Sequence, residues 1–260
     1  MQPRCAPGWA RRRDIPRQGL VPGDRWLWLL ENLPILAGFC EKELALLHQQ
    51  TTLFLHEKIF EAAEGLELNE DMRSVIAVQA CLPVLNLGLD WYESWKTVVV
   101  VPGQFIQEIS EVDRAGVVHE WEEDNSGESW ERGPVVLSWR DVEDSGWGDG
   151  YNVVLHEAAH QLDGLDGALN GRPALHQEMS PGEWLEVFSA AFQEFKRRLQ
   201  TKKPQDIDSY AAEDDAEFFA VMSEIFFERP RLLLRRYPEV YRLLGEFYRQ
   251  DPAKRLGQTP

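Results

Sequence analysis

The stretch His156-Glu157-Ala158-Ala159-His160 carries the most specific chemistry in the chain. Two histidines four positions apart are separated by about 400° of helical rotation, so both imidazoles leave one face a turn apart. That placement lets two neutral ring nitrogens reach one Zn²⁺ at about 2.0–2.1 Å. Glu157 lies about 100° round the helix from His156 and is not a simple third member of the stripe. Its expected role is general base, drawing a proton from a water beside the ion as that water attacks a carbonyl. The same pattern arises by chance on helices with two unrelated histidines. Context argues against chance here. Asn152-Val153-Val154-Leu155 is apolar enough for burial, and Ala158 and Ala159 are small, as a helix under a substrate cleft requires.

A catalytic site of this kind takes three protein ligands and keeps one position open. Two residues compete for the third place. Asp166 follows His156 by ten, the offset of the metzincin pattern HExxHxxGxxH, but that pattern needs glycine at offset seven. Asp163 stands there, and Gly164 comes one later. Glu217, in Asp214-Asp215-Ala216-Glu217, would come from a second helix packed against the first and complete a His₂Glu set. Its position also suits ordinary capping, as the third helical residue after Asp214. Ala220, Val221 and Glu224 share its face, a small and apolar stripe that reads as turned inward. Glu224 then either holds a ligand histidine from behind or forms a surface ion pair. Tyr210 precedes Glu217 by seven. If the chain between them stays near-helical, its phenol donates to an oxyanion in the cleft; the alternative is a buried structural tyrosine. Asp163 either supports the site or ends its helix.

The elements that must position these groups follow from patterning. Residues 24–90 are mainly helical, with Leu44, Leu47, His48, Thr51 and Leu55 at helical spacing. His48 and His56 are isolated and read as structural or solvated. Asn69 caps a further helix carrying Val75, Ile76, Gln79 and Ala80, which ends near Pro83. The β-branched run 97–101 is a strand closed by Pro102. Residues 117–121 and 129–131 flank the turn Asp124-Asn125-Ser126-Gly127 and read as a hairpin. Residues 133–139 form another strand, whose Pro134 suits an edge. It is expected to border the cleft and to pair with an extended peptide.

Helices then return over 153–162, after a capping box at Ser180-Pro181-Gly182-Glu183, over 215–228, and in a last segment to Tyr248. There is no internal repeat or interdomain linker. The expectation is one α+β domain over residues 23–255, mainly helical, with a small mixed sheet beside the active-site helix. Residues 1–22, rich in Pro, Gly and Arg, are expected to be disordered.

Bulk properties narrow the class. The chain has 260 residues, 43% hydrophobic and 27% charged, which suits a soluble globular protein. A formal charge of -17 argues against direct nucleic-acid binding and against docking on anionic membranes. The apolar run Trp26-Leu27-Trp28-Leu29-Leu30 follows Arg11-Arg12-Arg13 but is too short to span a bilayer. Three widely spaced cysteines suit free thiols in a reducing compartment, hence a cytoplasmic location.

Several stretches together resemble a known family. Asn152-Val-Val-Leu-His-Glu-Ala-Ala-His-Gln-Leu-Asp163, Ser209-Tyr-Ala-Ala-Glu-Asp-Asp-Ala-Glu-Phe-Phe-Ala-Val-Met-Ser-Glu-Ile-Phe-Phe227 and Gly133-Pro-Val-Val-Leu-Ser-Trp139 look like the Mlc titration factor A (MtfA) family of bacterial zinc peptidases. Ile76-Ala77-Val78-Gln79-Ala80 and Tyr248-Arg-Gln-Asp-Pro252 resemble it too. The likeness spans roughly residues 25–255. That family resembles the catalytic domain of anthrax lethal factor in its zinc site, which implies a zincin-like metallopeptidase domain. The resemblance implies His156, His160 and Glu217 as zinc ligands, Glu157 as general base and Tyr210 as the oxyanion-stabilising phenol. It further implies a peptide or protein substrate, aminopeptidase-type activity, and a transcriptional repressor of the Mlc type as partner. Sequestering that repressor, with peptidase activity secondary, is the rival reading.

Overall fold

Helix caps, prolines and one β-branched run set most boundaries in the computed structural model, which describes residues 21–103, 133–201 and 206–257. Helix α1 (Gly23–Asn32) precedes α2 (Glu41–Glu57), where the Glu43 carboxylate accepts the Cys40 amide at 2.9 Å. Strand β1 (Ile59–Ala62) leads to α3 (Glu70–Cys81), capped by Asn69, whose side chain accepts the Asp71 and Met72 amides. Strands β2 (Thr97–Val101) and β3 (Val135–Ser138) follow, then the short α4 (Trp139–Glu143). Helix α5 (Val153–Asp163) carries the histidine pair and α6 (Pro181–Leu199) comes next. A 3₁₀ turn (Ser209–Ala212) leads to α7 (Asp215–Glu228), which carries Glu217. The chain closes with α8 (Pro230–Arg236), α9 (Pro238–Tyr248) and α10 (Pro252–Leu256).

The protein is thus mostly helical with a small sheet, ordered β1-β2-β3. Ile59 lies opposite Thr97, and Val98 opposite Val135, with both pairs parallel. The expected mixed sheet depended on the hairpin at 117–131, which lies outside the described residues; among the described residues every pairing is parallel. Val98 and Val100, on one face of the central strand, are buried, while Thr97 and Val99 on the other face are partly buried. Strand β3 stands at one end of the described sheet, where Pro134 just before it costs no ladder bond.

Three expectations needed correction. Strand β1 lies inside the 24–90 stretch that patterning marks as mainly helical. Its four residues are too few to show a period, and its pairing comes from the β-branched run of β2. Residue 139 belongs to α4, not β3, because Ser138 Oγ accepts the Asp141 amide at 3.3 Å and starts a helix. The single last segment to Tyr248 is two helices, α8 and α9, parted where Pro238 takes a first helical position, and a further helix, α10, follows it. The capping box before α6 is half formed. Ser180 Oγ accepts the Glu183 amide at 3.3 Å, while the Glu183 carboxylate turns to Arg242.

The buried apolar residues form one contiguous cluster running from Val21 to Tyr248. His48 is structural: its Nε2 lies 2.9 Å from the Val21 carbonyl, and its ring stacks on Trp26 at 4.4 Å. Helix α7 runs through the middle of this core, with Phe218, Phe219, Phe226 and Phe227 all buried. Each buried phenylalanine stabilises by about 1.5–3 kcal/mol, so the backbone beneath Glu217 is firmly held. Helix α5 lies against α7. A second tie joins the end of α5 to the start of α7. Asp163 Oδ2 accepts the Asn170 and Gly171 amides, each at 2.8 Å. Gly171 sits at φ +71°, and a Cβ there would stand 2.2 Å from the Asp215 carbonyl oxygen. Only glycine permits that approach. Among the described residues, no helix is long and apolar enough to cross a membrane.

Candidate metal centre

Helices α5 and α7 bring His156, His160 and Glu217 together. His156 Nε2 is 3.1 Å from His160 Nε2 and 3.0 Å from Glu217 Oε2, and His160 Nε2 is 3.4 Å from Glu217 Oε1. Ligand atoms around a tetrahedral ion with bonds of about 2.0–2.1 Å stand about 3.3–3.4 Å apart. The three groups therefore fit a metal ion in both spacing and donor type, two neutral nitrogens and a carboxylate oxygen. The charge balance favours a cation at the same point. Burial alone would raise the Glu217 carboxyl, but the two imidazoles outweigh it and hold the group low. Burial alone would lower His156, yet Glu217 and Glu224 outweigh it and raise the ring.

Of the two candidates for the third ligand, only Glu217 is near the histidines. Asp166 is exposed, and its Oδ1 accepts the Ala168 amide at 3.3 Å. Asp163 is buried and engaged with the 170–171 loop, which answers its open role. Glu224 is not a surface residue. It is buried, with Oε1 2.8 Å from His156 Nδ1. A carboxylate there keeps the proton on Nδ1 and leaves the Nε2 lone pair facing Glu217. The ordinary capping alternative does not describe the Glu217 side chain: Asp214 Oδ1 accepts the Glu217 backbone amide at 2.9 Å, while the Glu217 carboxylate turns to the histidines.

Of the three groups His156 opens onto a cleft of about 1040 Å³, which Glu157, Tyr210, Val221 and Glu224 also line. Burial raises the Glu157 carboxyl above its ordinary value, and the two imidazoles offset this in part. Tyr210 comes from the 3₁₀ turn, not from an extension of α7, because Asp214 breaks the helix with extended backbone. Its ring still lies 5.9 Å from that of His156. Burial, then the Glu217 carboxylate, pushes its phenol up to about 12, so it remains a proton donor at neutral pH. No described residue of β3 lines this cleft.

Residues 7–249 match the family model for the glucose-regulated metallo-peptidase M90. The chain belongs to the M90 metallopeptidase family. Curated relatives agree over most of its length. It is 36% identical to Mlc titration factor A of Escherichia coli O9:H4 (strain HS) over 231 residues, covering 88% of this chain and 87% of the relative. It is 36% identical to Mlc titration factor A of Salmonella arizonae over 243 residues, covering 92% and 96%. M90 membership implies a bound metal, and the His156–His160–Glu217 cluster is where the described residues could hold one.

Sequence reasoning missed two groups of residues around the site. Asp149, Asp206, Asp208 and Glu213 line the same cleft and make its walls acidic. They lie in loops and turns, where no periodicity marks an orientation. Behind the ligands, Gln79, Asn152 and Glu228 form a buried polar layer. The spacing of Glu228 from Glu224, one helical turn, was the available signal.

Proposed function

We propose that this chain is a zinc metallopeptidase with a zincin-like domain over residues 23–255, acting on peptides in the cytoplasm. The observation that carries the reading is the convergence of His156 Nε2, His160 Nε2 and Glu217 within 3.0–3.4 Å beside Glu157 in an open cleft. His156, His160 and Glu217 hold the ion. When bound there, zinc supplies Lewis-acid chemistry, polarising a scissile carbonyl and acidifying the attacking water. Glu157, not needed as a ligand, takes the proton of that water on its carboxylate and returns it to the leaving amine. The Tyr210 phenol donates to the carbonyl oxygen as negative charge develops on it. Tyr210→Phe is expected to lower kcat by about 10²–10³-fold with KM little changed; steady-state kinetics showing undiminished kcat would remove the phenol from the mechanism.

Aminopeptidase action fits the acidic walls, because Asp149, Asp206, Asp208 and Glu213 complement a substrate α-ammonium group. The deciding experiment pairs metal analysis of the purified protein with a peptide library offered with free and acetylated N-termini. Zinc near one per chain is expected, with cleavage lost on chelation, restored by zinc and confined to free N-termini. A metal-free preparation that cleaves equally well would overturn the reading.

A second reading has one observation behind it. The name of these relatives speaks of titrating Mlc, and we extend to this chain a glucose-related transcriptional repressor of that type as a protein partner. Peptide hydrolysis then stands beside sequestration, and loss of the metal separates the two.

A further inference from the structure

The Nδ1 side of His156, opposite the Nε2 that meets His160 and Glu217, is held by a chain of buried polar groups. Glu224 Oε1 lies at His156 Nδ1, and Glu224 Oε2 accepts the backbone amide of Asn152 at 2.6 Å. The Asn152 carboxamide is used in full. Its Oδ1 accepts the Leu155 amide at 3.0 Å, while Nδ2 donates to Gln79 Oε1 at 2.7 Å and to Glu228 Oε1 at 2.8 Å. Glu228 Oε2 in turn accepts the Gly148 amide at 2.5 Å. Asn152 and Gln79 are 0% exposed and Glu228 5%.

Helix capping alone does not require asparagine at 152. Serine, threonine or aspartate would equally accept the Leu155 amide. None of them also donates two hydrogen bonds from one planar group, and glutamine is too long to cap in the same way. The two donations join three parts of the fold. They tie α3 through Gln79 and α7 through Glu228 to the start of α5. Through Gly148 they also tie in the loop that carries the cleft residues Asp149, Gly150 and Tyr151.

We propose that Asn152 and Glu228 are positioning residues for the metal ligand His156, acting through Glu224, and that the same carboxamide sets the cleft rim. This rests on the zinc peptidase reading. The Asn152 backbone aims the Glu224 carboxylate, and the carboxamide locks that backbone in place. Partners behind a ligand histidine typically govern metal affinity by about 10–100-fold.

The test exchanges the amide and the carboxylate. Asn152→Asp keeps the capping oxygen but loses both donations and sets a third carboxylate beside Glu224 and Glu228. Zinc affinity, read by competition with a chromogenic chelator, is expected to fall about 10–100-fold. At saturating zinc, activity should fall in kcat rather than KM. In Asn152→Asp/Glu228→Gln the new amide at 228 donates to the new carboxylate at 152, and its carbonyl still accepts the Gly148 amide. Zinc affinity is expected to return to within a few-fold of wild type. Asn152→Ser, which adds no charge, should show the loss without the rescue partner, and it carries the test if Asn152→Asp does not fold. Wild-type zinc affinity in Asn152→Asp or Asn152→Ser would overturn the proposal. So would a double variant that melts like wild type yet still holds zinc weakly. Wild-type protein that holds no zinc in the same titration would instead bring down the underlying peptidase reading, a distinguishable result.

Discussion

Glu157→Gln is expected to lower kcat by about 10²–10⁴-fold, the usual contribution of a positioned general base, while zinc content stays at the wild-type level. The geometry separates the two roles. Glu157 is absent from the converging set of His156, His160 and Glu217, so its loss removes no ligand. It lines the same cleft, and burial lifts its carboxyl above the ordinary value. A base so lifted accepts a proton more readily and returns it at a pH closer to neutral. Glutamine is nearly the same size and keeps the packing, but its amide has no basic oxygen. Steady-state kinetics and metal analysis on one preparation provide the check. Full activity with zinc retained would leave the reaction without its proposed base.

The second large effect belongs to Glu217→Ala. Removing one of three ligands should weaken zinc binding by more than the roughly 100-fold ceiling for supporting partners, and cleavage should vanish at ordinary zinc concentrations. The effect should not spread through the fold. Asp214 Oδ1 caps the helix by accepting the backbone amide of residue 217, which alanine keeps, and the phenylalanines of α7 hold the helix. The rival ligand from the sequence gives the control. Asp166→Ala should keep its zinc, since Asp166 is exposed and bonded only to its own loop. Equal zinc loss in the two variants would redraw the site. A pull-down of an Mlc-type repressor with Glu217→Ala then separates catalysis from sequestration. Undiminished capture places the partner on a surface independent of the metal, and lost capture makes the two functions one.

How far the sequence reached differs from element to element. Helix α7 and strand β2 were read to within a residue because each carries an unambiguous local signal, a capping Asp214 in one and a β-branched run in the other. Strand β1 was missed because four residues with mostly exposed side chains show no alternation; its structure is a property of its neighbour's backbone. Tyr210 was placed by assuming a near-helical path that the chain does not follow. The phenol reaches the cleft regardless, because Asp208 accepts the Tyr210 amide at 2.9 Å and fixes the turn.

By itself, the sequence determined what is local: two imidazoles on one helical face, Glu157 beside them, the caps that start α3, α6 and α7, and an acidic, mostly helical chain. Helical rotation depends only on spacing, so such groupings need no knowledge of the fold. Only the tertiary structure placed Glu217 rather than Asp166 beside the two histidines, gave Glu224 a buried partner instead of a surface one, and used every hydrogen-bonding group of the Asn152 side chain. Those outcomes depend on distances between segments more than fifty residues apart. Packing of the core sets such distances, and no period or motif in the sequence records them.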